Sequence, residues 1–94
     1  MKTTDIYKKN KDFPMRKFGK ETVLVNVKDE NIIYLNETSS KILSLIDGKN
    51  SVQNIADKFV EIYGIDFKTA FNDIKNILQI LLFQNAIELN KSFL

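Results

Sequence analysis

The side chains of this chain that could carry proton-transfer or covalent chemistry are carboxylates, lysines, hydroxyls and three tyrosines; it has no histidine and no cysteine. That excludes a zinc site of the usual nitrogen and sulfur ligands, a Ser-His or Cys-His nucleophile pair, a thiol redox centre and a disulfide. Gly19, Gly48 and Gly64 stand far apart, and none opens a phosphate-cradling loop of the Walker or dinucleotide type. Small domains without a perturbable His or Cys seldom carry catalysis alone. The residues therefore point to a binding protein and not to an enzyme, with no cofactor and no metal.

The elements that must position any binding surface are those of one small domain. The chain has 94 residues, of which 44% are hydrophobic and 28% charged, enough apolar material for one core and too little for two. The formal charge of +2 is unevenly spread. Residues 1–20 hold seven basic side chains against two acidic ones, a net +5, whereas the remainder is −3. Residues 1–12 are accordingly expected as a basic N-terminal arm, solvated and free to be disordered, and residues 13–94 as the folded domain. Met1-Lys-Thr-Thr-Asp lacks an apolar signal region, and no apolar run approaches the roughly 18–20 residues of a membrane span, so a cytoplasmic protein with no membrane partner is expected.

Strand character runs from Phe13 to Asn36. Phe13–Phe18 reads as an edge strand that tolerates Pro14. Thr22–Val27 is β-branched and alternates, with Val23, Val25 and Val27 on one face and Leu24 and Asn26 on the other. After the polar turn Lys28–Asn31, Ile32–Leu35 forms the second arm of a hairpin, with Ile33 and Leu35 on one face and Ile32 and Tyr34 on the other. From Asn36 the period becomes helical. Asn36, Ser51 and Asp66 are placed as N-caps of three helices, running to about Ile46, Tyr63 and Gln84, with Asp47-Gly48 and Gly64 as stops. Ala86–Leu89 is a candidate terminal strand. Strands followed by helices read as α+β, here an N-terminal three-stranded antiparallel sheet followed by three helices. The second and third helices also resemble a helix-turn-helix.

Leu35-Asn36-Glu37-Thr38, then Ile42-Leu43-Ser44-Leu45-Ile46-Asp47-Gly48 and Ser51-Val52-Gln53-Asn54-Ile55, resemble in order and spacing the pattern of the PqqD-like family. Tyr63–Asp66, Asp73-Ile74 and the Leu78 and Leu81 pair are similar to its closing helix, so the likeness spans about residues 16–89. Where the family usually has Gly before the last apolar pair this chain has Asn85, which also tolerates the left-handed conformation. The resemblance implies a winged-helix-like RiPP recognition element. Such a domain binds the leader of a ribosomally made precursor peptide and presents the core to a radical S-adenosylmethionine enzyme or to a leader protease. In that family the leader adds as a strand beside the third strand and packs on the third helix. Carried over, the pairing strand is Asn31, Ile32, Ile33, Tyr34 and Leu35, and the helix contributes Asp73, Ile77, Ile80 and Gln84.

The chemistry of the residues fits such a mode. An edge strand has N–H and C=O groups that an extended peptide can satisfy, with side-chain pockets supplying specificity. With Ile74 at the centre of the third helix's core stripe, Ile77 lies about 60° away, Asp73 about 100°, Ile80 about 120° and Phe83 opposite. Ile80 and Phe83 thus fall outside the core stripe, where they wall a groove, stand exposed, pack on the N-terminal segment or meet the mate in a homodimer. Two other classes compete. A DNA-binding helix-turn-helix would read bases with Lys68, Asn72, Lys75, Asn76 and Gln79, yet Asp73 sits among them without any Arg, which is poor for an anionic groove, so no nucleic acid partner is expected. The other alternative is a structural subunit of an enzyme complex without peptide affinity.

Overall fold

The computed structural model describes residues 1–91; residues 92–94 of the expected domain lie outside the described residues. The chain runs β1 (Tyr7–Lys9), β2 (Met15–Phe18), β3 (Glu21–Asn26), β4 (Asn31–Leu35), α1 (Glu37–Leu45), α2 (Val52–Tyr63), α3 (Phe67–Phe83) and β5 (Ile87–Leu89). Strands β2, β3 and β4 form an antiparallel sheet in that order, and β1 pairs with β5 in a separate two-stranded ribbon. This is the expected α+β arrangement of a three-stranded sheet followed by three helices.

Each helix starts where a side chain can satisfy an orphan N–H. The side-chain oxygens of Asn36, Ser51 and Asp66 accept from the N–H groups of Ser39, Asn54 and Thr69 at 2.9, 3.1 and 2.8 Å. Gly64 ends α2 at φ +63°, a left-handed cap that costs glycine nothing. Asn85 takes the same role after α3 at φ 64°, and the next N–H, of Ala86, donates back to the Leu81 carbonyl at 2.9 Å.

The core joins the helices to the inner sheet face. Ile42, Leu43 and Ile46 of the first helical segment, Val52, Ile55, Ala56 and Phe59 of α2, and Ala70, Ile74, Leu78 and Leu81 of α3 are buried together with Leu24 and Leu35. Leu24 sits opposite Ile33, and Thr22 opposite Leu35, so these residues define the inner face. Helical spacing places Leu45, Ile62 or Tyr63, and Phe67 in the core; instead Leu43 is buried while Leu45 is only partly so, and Ile62, Tyr63 and Phe67 at the α2–α3 corner are exposed. Tyr63 and Phe67 there lie against ring neighbours one turn away, Phe59 and Phe71, with centroids 5.0 and 6.1 Å apart.

The segment expected as a free arm is built into the structure. Tyr7, Lys8 and Lys9 pair with Leu89, Glu88 and Ile87, and Tyr7 is 6% exposed. The carbonyls of Thr3 and Asp5 accept from the N–H groups of Gln53 and Val52 at 2.9 Å each, which satisfies donors in the first turn of α2. The Tyr7 carbonyl accepts from the N–H of Gly48, where a Cβ would meet Asn90 Nδ2 at 3.3 Å. Nine of the eleven residues that accompany Tyr7 in the segment are polar, which reads as solvated, but its main chain finds partners far away in sequence and one aromatic ring anchors it. Its charge remains at the surface, where Lys8 meets Glu88 at 3.6 Å. The edge strand likewise starts at Met15 and not Phe13, because Pro14 has no N–H for the ladder.

Burial and the nearby Asp5 carboxylate hold the Tyr7 phenol above its usual value of 10.0. The unfolded chain then loses this proton first, so folding stability falls as pH rises above 10 towards the raised folded value. Tyr7→Phe should remove that alkaline decline while staying within about 1 kcal/mol of the wild type at pH 7. Tyr7→Ala should cost about 3 kcal/mol. Urea denaturation at several pH values reads both.

Candidate functional site

The sheet has two outer edges and treats them differently. β2 carries Arg16 and Lys17, follows Pro14 and is exposed along its whole length, a composition that discourages further pairing. β4 reads Asn-Ile-Ile-Tyr-Leu, with neither charge nor proline, and among the described residues no strand covers its far side. It is a bare edge.

The hydrogen-bond parity identifies which groups that edge offers. The Val25 N–H donates to the Pro14 carbonyl at 3.0 Å, so Val25 turns its main chain towards β2. In an antiparallel strand alternate residues face opposite neighbours. Thr22, Leu24 and Asn26 therefore bond towards β4, where they sit opposite Leu35, Ile33 and Asn31 in an uninterrupted register. The N–H and C=O of Ile32 and Tyr34 point outwards. Of the five residues expected to pair with a peptide, two thus present main-chain groups. Asn31, Ile33 and Leu35 spend theirs on β3, and the Leu35 side chain is in the core.

Beside this edge lies a cleft of about 340 Å³ between the start of α1 and α3, lined by Asn36, Thr38, Ser39, Asp73, Asn76 and Ile77, with Ile42 beneath. The β4–α1 junction is held rigidly. The Ser40 hydroxyl donates to the Leu35 carbonyl at 3.2 Å, and the Ser39 N–H to Asn36 Oδ1. α3 is aimed by Asp66, whose carboxyl is held below its usual value by hydrogen bonds from the side chain and then the N–H of Thr69.

Asp73 and Ile77 line the cleft itself. Ile80 and Gln84 continue along the same α3 face, each within about 40° of Asp73 at 100° per residue. Ile80 is 52% exposed, whereas Gln84 is the helix C-cap, its N–H donating to the Ile80 and Leu82 carbonyls. Phe83, 85% exposed, flanks this stripe and lies nearly opposite the core. Thr38, Ser39 and Asn76 line the cleft without standing among the residues expected to bind a peptide. Asn76 carried a usable signal, standing three residues after Asp73; the two residues of α1 did not, since only the fold brings that helix start alongside α3. Asn36 is a cap that also lines the cleft. Among the described residues there is no cluster of three metal-ligating side chains and no helix long and apolar enough to cross a membrane.

A three-stranded sheet with one bare edge, followed by a trio of helices that sets a cleft beside it, defines the class of domain. The same fold is seen in a solved structure described as TbiB1 in complex with the TbiA(beta) leader peptide. The two align with a TM-score of 0.79 and 22% identity over 86% of this chain and 94% of that one. The family model described as coenzyme PQQ synthesis protein D (PqqD) matches residues 21–87, and the chain belongs to that family. Among curated proteins no match is found.

Asn36→Ala should destabilise the fold by about 1 kcal/mol through the lost cap, and Asn36→Ser should recover most of that. Thermal and urea unfolding measure both.

Proposed function

We infer that this protein is a noncatalytic adaptor. It binds the leader of a ribosomally synthesised precursor peptide as an added strand along β4 and presents the peptide to a modifying enzyme, such as a radical S-adenosylmethionine protein, or to a leader protease in the cytoplasm. The observation that carries this reading is the bare edge of Ile32 and Tyr34 beside the cleft of Asp73, Asn76 and Ile77. Membership of the PqqD family and the leader peptide named with TbiB1 support it.

Magnitudes say what the peptide must supply. Two outward-facing residues can exchange up to four main-chain hydrogen bonds, and each contributes about 1 kcal/mol net. Association costs on the order of 4–15 kcal/mol in lost freedom. Main-chain pairing alone is therefore too weak, and buried apolar side chains must provide the rest. The face of α3 speaks against DNA binding: beside the cleft it offers Asp73, Ile77 and Ile80, a carboxylate and two aliphatics where phosphates require cations.

The test is a titration of isotope-labelled protein with the leader of a short precursor encoded beside its gene. Shifts should concentrate on residues 31–35 and on the Asp73 face of α3, and their absence from both would sink the reading. Parity makes a sharper prediction. Tyr34→Pro removes an outward N–H and should leave the sheet intact while weakening the peptide by about tenfold or more. Ile33→Pro removes a bond to β3 and should destabilise the fold itself, as circular dichroism during urea unfolding would reveal.

A further inference from the structure

Across β3 and β4 the face of the sheet turned away from the helices is apolar, with Arg16 and Glu21 on its β2 side, where an antiparallel sheet usually meets water with polar side chains. Tyr34 is 76% exposed, Phe18 62% and Ile32 54%. Val23 lies opposite Tyr34 and Val25 opposite Ile32, so both valines share this face. Phe18, Glu21, Val23 and Tyr34 border a shallow hollow of about 260 Å³. Among the described residues neither Phe18 nor Tyr34 belongs to the hydrophobic core, to which Leu24, Ile33 and Leu35 hold β3 and β4.

The parity of β4 says what meets this face. Ile32 and Tyr34 offer the free main-chain groups, and their side chains point outwards, away from α3. In either strand direction, residues directly opposite each other in neighbouring strands project to the same side of the sheet. A peptide strand paired to this edge therefore sets the residues opposite Ile32 and Tyr34 over the outer face, and the residue between them, opposite Ile33, on the inner side, towards the helices. We propose that the outer sheet face formed by Val23, Val25, Ile32 and Tyr34, with Phe18 at its margin, is a second half of the peptide site. The ligand is then a strand with apolar or aromatic residues at both alternations, not only at the positions that turn towards the helices. This rests on the strand-addition reading and deepens it. The surface is continuous with the pairing edge, and cross-strand neighbours of the aromatic and β-branched types are those that gain most from contact.

A displayed library of short random peptides, selected on the full chain, tests the proposal without knowledge of the natural ligand. Enriched peptides should be apolar or aromatic at consecutive positions of both parities. They should bind the outer-face variant Ile32→Thr/Tyr34→Thr, which keeps strand-forming residues and an intact edge, about tenfold or more weaker than wild type, ~1.4 kcal/mol. They should also weaken on the cleft variant Ile77→Asn/Ile80→Asn. Selected peptides that lose affinity on the cleft variant but bind the outer-face variant as well as wild type would overturn the proposal and leave the strand-addition reading standing. Failure to select any binder, or binders indifferent to both variants, would overturn the two together. Sedimentation of the free protein supplies the remaining arm: a wild-type dimer that Ile32→Thr/Tyr34→Thr dissolves would assign the face to a second copy and overturn the peptide assignment.

Discussion

A sheet of three strands must leave two rows of N–H and C=O groups without strand partners, and the rest of this protein is arranged around that constraint. One row is guarded by Pro14, Arg16 and Lys17. The other, on β4, is left apolar and uncharged. Natural sheets normally blunt such an edge, because an unguarded one recruits whatever extended chain it meets. Here the helices leave it open. α1 packs against β3 and β4 from the inner side, and its capped start, with α3, bounds a cleft at the Leu35 end of the edge.

The packing fixes the register of that edge. Leu24 and Leu35 tie the inner sheet face to Ile42, Phe59, Ile74 and Leu78 in one cluster, so β4 cannot shift register without exposing core residues. The β1–β5 ribbon closes the opposite end. It pairs Tyr7–Lys9 with the last described strand, and the carbonyls of Thr3 and Asp5 just before it take up the N–H groups at the start of α2. A short chain thereby spends its N-terminal segment on satisfying backbone groups rather than on a second layer of core.

Local chemistry made much of this legible in advance. The caps at Asn36, Ser51 and Asp66, the left-handed Gly64 and Asn85, and the hairpin from Thr22 to Leu35 depend on neighbours within a few residues, and they stand where the residue types put them. The stripe of α3 was readable for the same reason. The N-terminal strand was not, because Tyr7 is one aromatic among polar residues and its pairing partners lie some eighty positions away. Thr38 and Ser39 on the wall of the cleft were hidden likewise, as nothing in the first turn of a helix reports which other helix will face it.

By itself, then, the sequence determined the chemistry that is absent, the order of the elements and the alternation of side chains within each strand, since all three follow from residue identity and from periodicity along the chain. Only the tertiary structure decided which alternation faces the core, which edge stays bare and which two residues of β4 turn their main-chain groups outwards. Those depend on hydrogen bonds between strands, and the decisive one, from Val25 of β3 to Pro14 just before β2, joins two segments whose relative parity neither encodes alone.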